Sequence, residues 1–271
     1  MSVVDGLPSY GSGRSDRPGD NTRRARIVLI NPNTTVAMTR AMMTSARDAV
    51  ARAEVLGVTS SMGPPSIEGH YDEALSVPGL LQAITADPTA DAFVIACFGD
   101  PGLEAARELA TVPVLGIAEV AMKTATLLGN SFSVVTSLAR TIGRARSLAR
   151  TYGLERQCAG VWACEMEVLS LDADREQTFQ RVLSSSQNAL RVDGSDSIVL
   201  GCAGMAWLPA RLTAALGVPV IDGVGAATAM AEALIRLTLR PASHGELAQP
   251  IAKEYVGALA PFSPPGSAHL D

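Results

Sequence analysis

Two cysteines carry the most chemistry in this sequence. "FVIACFGDPG" (Phe93–Gly102) and "IVLGCAGMAW" (Ile198–Trp207) are short apolar runs, each with a cysteine at its end and a glycine two residues on: Cys97 with Gly99, Cys202 with Gly204. An aspartate precedes each cysteine by six positions, Asp91 or Asp196. After each come an arginine-bearing helical stretch, with Arg107 or Arg211, and a "VPV" run, Val112–Val114 or Val218–Val220. The upstream segments match as well: "IVLINPNTT" ends in Asn33, Thr34 and Thr35, and "FSVVTSLART" passes through Thr136 and Ser137. Self-similarity at this period indicates two copies of one βαβ-based lobe related by a pseudo-twofold axis.

Two thiols at equivalent strand ends, facing one another across such an axis, suit inversion of a carbon centre. One, as thiolate, removes a proton from one face; the other, as thiol, delivers a proton to the opposite face. A cysteine has a reference pKa of about 8.5, within reach of working pH after modest tuning. Repulsion between two thiolates favours a mixed pair. Glycine at a strand-to-helix turn lets backbone N–H groups face the ligand, and the following helix N-terminus adds positive potential. Such donors lower a thiol pKa and stabilise an enolate oxygen. This chemistry requires no cofactor and no metal. Cys158 and Cys164 complete the cysteine set, but no pair has C-x-x-C spacing and the chain has 3 histidines, so neither a zinc site nor a redox dithiol is expected.

The elements that must position these residues show β-α alternation. "RIVLI", "FVIAC", "VPVLGI", "SFSVVT", "SIVLGC" and "VPVID" read as strands buried on both faces of parallel sheets. Helical patterns lie between them: "TVAMTRAMMTSARDAVAR", "GLEAARELA", "ARTIGRARSLARTYG", "REQTFQRVLSSSQNALRVDG", "LPARLTAAL" and, at residues 225–239, "GAATAMAEALIRLTL". The expected fold is α/β: two pseudo-symmetric, doubly wound parallel-sheet lobes with right-handed crossovers and the active site in the cleft between them, where ligands meet the carboxyl ends of strands. The first lobe is expected over residues 26–121 together with the helix 225–239, and the second over 122–224. Residues 1–25 read as a disordered leader, and residues 260–271 as a loose tail rich in Pro and Gly.

The chain has 271 residues, 47% of them hydrophobic and 18% charged, with a net charge of -5. A nucleic-acid partner is not expected, because phosphate binding needs clustered Lys and Arg; Arg23, Arg24 and Arg26 read as a solvated flank of the first strand. No apolar run approaches the roughly 18 residues of a membrane span. The amino terminus lacks the apolar stretch of an export signal, so a cytoplasmic setting with reduced thiols is expected.

The motifs together resemble the aspartate/glutamate racemase superfamily, most closely its hydantoin racemase branch. They are "INPNTT" (Ile30–Thr35), "MGPPSIEGHYDEAL" (Met62–Leu75), "DAFVIACFGDPGL" (Asp91–Leu103), "GIAE" (Gly116–Glu119), "FSVVTSLARTIG" (Phe132–Gly143) and "IVLGCAGMA" (Ile198–Ala206) with "PVIDGV" after it. The resemblance spans roughly Arg26 to Leu239. It implies cofactor-independent racemisation of 5-monosubstituted hydantoins, a small-molecule substrate, and a homo-oligomer. It implies acid/base roles for Cys97 and Cys202, and substrate contacts from Asn33, Ile117 and Thr136 with the backbone donors Phe98, Ala203 and Gly204. Trp207 departs from the pattern, standing where a smaller or acidic residue is expected.

Each remaining motif has a plainer reading. Cys158 and Cys164 read as small buried hydrophobes. "DGVGAATA" (Asp222–Ala229) lacks the third glycine of a dinucleotide loop and reads as a tight turn into the last helix. His70 reads as a candidate third acid/base or, at least as well, as a surface-loop residue with a substrate-gating role, and Glu119 as a helix-start carboxylate or a group that orients substrate. Allantoin racemisation, maleate isomerisation, arylmalonate decarboxylation and non-catalytic small-molecule binding remain as alternatives.

Overall fold

The computed structural model describes residues 23–264. The expected leader lies outside the described residues up to position 22, as does the expected tail beyond position 264.

Two parallel four-stranded sheets form the frame. The first contains β1 (Arg26–Asn31), β2 (Glu54–Thr59), β3 (Ala92–Ile95) and β4 (Val114–Gly116) in the order β2-β1-β3-β4. The second contains β5 (Phe132–Thr136), β6 (Cys158–Ala163), β7 (Ser197–Leu200) and β8 (Val220–Asp222) in the order β6-β5-β7-β8. One order maps onto the other strand for strand. The helices match in the same way: α1 (Val36–Asp48), α2 (His70–Thr85), α3 (Leu103–Leu109) and α4 (Ile117–Leu128) follow the strands of the first sheet. Then α5 (Ile142–Thr151), α6 (Arg175–Asp193), α7 (Pro209–Leu216) and α8 (Gly223–Arg236) follow those of the second.

In each sheet the chain leaves the first strand toward one edge and returns to build the other, so the direction of winding switches between β1 and β3, and between β5 and β7. Crevices at such switch points are where open α/β sheets bind ligands. Cys97 lies two residues beyond β3 and Cys202 two residues beyond β7, both just past the carboxyl ends of these central strands.

The lobes are joined by exchange of their last helices. In α4, Ala118, Ala121, Met122 and Ala125 pack with Phe132, Val134, Val199 and Ile221 of the second sheet. In α8, Val224, Ala227 and Ala231 pack with Ile27, Leu29 and Val94 of the first. The two helix starts nearly touch: a Cβ on Gly223 would lie 2.5 Å from the Ile117 carbonyl oxygen, so only glycine permits this approach. Burying both helices against foreign sheets removes apolar surface shared by the lobes from water and holds the cleft at a fixed width.

The reading of the sequence changes at the β4–α4 boundary, at α2 and at the two edge strands, and holds at the start of α8. "VPVLGI" is a strand only to Gly116, and Ile117 opens α4. His70 opens α2 rather than sitting in a loop. The edge strands β2 and β6 complete the two sheets. Asp222 accepts hydrogen bonds from Val224 N–H at 3.0 Å and Gly225 N–H at 2.8 Å, capping α8 and making "DGVG" a helix start, as the missing third glycine suggests.

Candidate active site

Cys97 and Cys202 line one cavity between the lobes. The first lobe contributes Asn33, Met38, Ala96, Phe98 and the approach to α2, from Ile67 to His70, with Glu73. The second contributes Thr136, Ser137, Arg140, Thr141, Arg144, Ala145, Val168, Gly201 and Ala203. Both cysteines stay partly accessible through the cavity, and all four cysteines of the chain are free.

The repeated glycine now has a physical purpose. The Gly99 N–H donates to the Cys97 sulfur and the Gly204 N–H donates to the Cys202 sulfur. Each thiol therefore carries a donor from the residue two positions later, in the same turn, in both lobes. Burial is nevertheless the larger effect and pushes both thiols up to about 12; Cys97 is raised further by Cys202, Asp100 and Glu73, and Cys202 by Cys164 and Glu68. The two sulfurs are thus held protonated at neutral pH and are strong bases once ionised.

The Cys97 turn is anchored by Asp100, a buried residue with φ 44°. Its carboxylate accepts from the Ala118 and Glu119 N–H groups at 3.1 and 2.9 Å, so it caps α4, and from the Tyr152 hydroxyl at 2.6 Å. Burial pushes Asp100 up to about 7 against those three donors, and pushes the Tyr152 hydroxyl above its ordinary value.

Around the mouth, the start of α2 is tied to the second lobe. Glu68 accepts from the Val168 N–H at 3.0 Å, and Glu73 pairs with the Arg144 guanidinium. Burial raises the Glu73 carboxyl, opposed by Arg144 and His70. His70 is exposed, with its Nδ1 3.9 Å from Glu73.

Most residues expected from the sequence meet in this cavity: Asn33, Phe98, Thr136 and Ala203 line it with the two cysteines. Asn33 is fixed locally, its Oδ1 accepting from Asn31 and from the Thr35 N–H at 2.9 Å. Thr136 shares a 2.8 Å hydrogen bond with Thr141. Gly204 acts through its N–H on Cys202 rather than by lining the space. Ile117 is absent from the lining; it is 1% exposed and packs in the core of the first lobe, because α4 begins there and turns its first residue inward. Glu119 lies elsewhere too. Burial acts against its ionised form, but Lys123 and Arg107 outweigh it and hold the carboxyl below its ordinary value, so it is a satisfied helix-start carboxylate. Trp207 is likewise outside this cavity, its ring 5.1 Å below the Arg175 guanidinium.

Several cavity residues were not anticipated from the sequence: Glu68, Glu73, Arg140, Arg144, Met38 and Val168. The available signal was the acidic run in "IEGHYDEA" across the start of α2, and two arginines four residues apart after β5.

A family model described as Asp/Glu/Hydantoin racemase matches residues 27–231. The chain belongs to that family. It is accordingly an isomerase, a racemase. A hydantoin racemase of Rhizobium meliloti is 44% identical over 77% of this chain and 88% of its own length. A hydantoin racemase of Pseudomonas sp. (strain NS671) is 41% identical over 88% of this chain and 96% of its own. The solved structure of an allantoin racemase from Klebsiella pneumoniae is 46% identical, covers 89% of this chain and 99% of that one, and superposes with a TM-score of 0.86. Two parallel-sheet lobes around a shared cleft are thus the racemase architecture of this chain.

Proposed function

We propose that the protein inverts C5 of 5-monosubstituted hydantoins by passing a proton between Cys97 and Cys202. One sulfur, as thiolate, removes the C5 proton, and the electron pair moves into the C4 carbonyl to give an enolate. The thiol on the other face then protonates C5, leaving the ring inverted and the two sulfurs with exchanged protonation states. The reverse reaction uses the same groups in exchanged roles, so no proton or electron is left unaccounted for. Backbone N–H groups of Phe98 and Ala203 are the donors proposed for the developing enolate oxygen, with Asn33 and Thr136 shaping the ring site.

The observation that carries this reading is that thiols from two pseudo-symmetric turns open into one cavity, each with the same i+2 glycine N–H. The hydantoin racemase relatives support the ring. Action on a small molecule as a homo-oligomer in the cytoplasm belongs to the same proposal, and sedimentation velocity tests the assembly.

A second reading has its own support. Allantoin is a hydantoin carrying a ureido group, the 46% identical solved relative is an allantoin racemase, and the cavity rim carries Glu68, His70, Glu73 and Arg140, groups able to pair with such a polar substituent. The deciding experiment follows optical rotation of 5-benzyl-, 5-isobutyl- and 5-(methylthioethyl)hydantoin and of allantoin at equal concentration. Faster loss with the first three supports the hydantoin reading; loss with allantoin alone replaces it by the second; no loss with any refutes both.

A further inference from the structure

We propose that Arg144 is the positioning residue of the Cys97 half alone: reaching over from the second lobe, it fixes the turn that holds Cys97 and neutralises the carboxylate beside it. This rests on the two-thiol reading above.

The guanidinium makes two contacts on the first lobe. It donates to the Gly99 carbonyl oxygen at 2.6 Å, and it pairs with Glu73 on α2. Gly99 is the residue whose N–H bonds the Cys97 sulfur, so Arg144 restrains the donor that favours the thiolate. Glu73 and Cys97 flank a single point in space. A Cβ on Gly99 would lie 3.7 Å from the Glu73 carboxylate and 3.8 Å from the Cys97 sulfur. An unneutralised carboxylate at that range opposes ionisation of the thiol.

The other groups facing Cys97 do not substitute for Arg144. Asp100, on its own turn, is occupied by Tyr152 and the start of α4. Cys202 faces Cys97 from the second lobe and, if ionised, would oppose it. His70, on α2, is exposed and 3.9 Å from Glu73. At Cys202 the arrangement differs: the groups whose charge bears on it are Cys164 and Glu68, and Glu68 is bound to the Val168 N–H. The lobes share their turn geometry, but among the described residues only the Cys97 turn is braced by a cation from the other lobe.

Single-sulfur backgrounds separate the halves. In Cys202→Ser, Cys97 is the remaining base; in Cys97→Ser, it is Cys202. Deuterium incorporation from solvent at C5 of each enantiomer of 5-benzylhydantoin, or of allantoin where that is the ring turned over, is followed from pH 6 to pH 10. Adding Arg144→Gln to Cys202→Ser should slow exchange on the order of tenfold at pH 8 and move the profile to higher pH. Adding it to Cys97→Ser should change exchange by less than about twofold. A further Glu73→Gln should return the Cys97 profile toward its starting position, and Glu73→Gln alone should move it to lower pH. Arg144→Lys, which keeps the charge but loses the fork, should fall between. Equal slowing in both backgrounds, as from a general loss of folding, or slowing in Cys202→Ser that the further Glu73→Gln leaves unrepaired, overturns the proposal. If the two backgrounds do not divide the enantiomers between them before Arg144 is touched, the two-thiol reading fails and this inference fails with it.

Discussion

The turn after β3 and the turn after β7 have the same skeleton and different surroundings. In both, a cysteine two residues past a central strand receives a hydrogen bond from a glycine N–H two residues further on. Around Cys97 the neighbours are charged or strongly polar: Asp100, Glu73, Arg144 and, through Asp100, Tyr152. Around Cys202 they are softer. A Cβ on Gly204 would lie 3.0 Å from Leu171, and the turn packs with Met205 and Leu208 in the apolar core of the second lobe. The helix caps differ in the same sense. Asp100, from the Cys97 turn, caps α4, whereas α8 is capped by Asp222 from its own strand end. Pseudo-symmetry therefore sets where the sulfurs are, and the departures from symmetry distinguish them.

Removing either sulfur is the strongest way to break the comparison. Cys97→Ser and Cys202→Ser should each lower racemisation by roughly 1,000-fold or more, because a hydroxyl with a far higher pKa cannot serve as the missing acid or base. Polarimetry of an optically pure substrate measures this; a variant that keeps activity within about tenfold would remove its sulfur from the reaction.

The next largest effect is on pH, where the halves should agree. Both thiols are pushed up to about 12, chiefly by burial. Below that value the thiolate population rises tenfold for each unit of pH, so the racemisation rate should climb by about that factor per unit from pH 7 to pH 9. A rate that is flat across this interval contradicts a base held mostly as thiol.

Exchanging the two capping aspartates for asparagine sharpens the comparison. Asp100→Asn replaces an acceptor of three hydrogen bonds by a group that can accept fewer, and should slow racemisation by roughly tenfold or more, since the Cys97 turn is tied to that carboxylate. Asp222→Asn should lower the thermal midpoint by a few degrees through its weakened cap, with racemisation at 25 °C nearly unchanged. Equal losses of activity would mean that both caps act on the chemistry.

How far this site could be read in advance follows from the same contrast. The cysteines, Asn33 and Thr136 stood out because they recur at matching positions in two βαβ units, and the buried central strands β1, β3, β5 and β7 each carry a mostly apolar run. The edge strands were obscured. β2 and β6 have mixed burial and carry Gly57 and Gly160, so neither the alternating nor the continuous pattern appears in them. α2 was hidden by Pro78 and Gly79 within it, and α4 by an apolar run that reads on from β4. Glu68, Glu73 and Arg144 had only a weak local signature, a run of acids and a pair of arginines, because what defines each is a contact across the cleft more than 60 residues away. A lone charge on a helix looks the same in sequence whether it faces water or the other lobe.

The smallest expected effects belong to the remaining cysteines. Cys158 and Cys164 lie outside the cavity lining, and Cys164 donates weakly to the Ser137 carbonyl at 3.6 Å. Serine at either position should change the racemisation rate by less than about threefold, compatible with a packing role. A loss matching that of Cys97→Ser would put a third sulfur into the reaction.

The central claim, that the two halves work on opposite faces of one carbon, is tested most directly by mass spectrometry of each pure enantiomer incubated in D2O with the two serine variants. One variant should label only one enantiomer at C5, and the other variant only its mirror image. Labelling of the same enantiomer by both variants, or of neither by either, would contradict it.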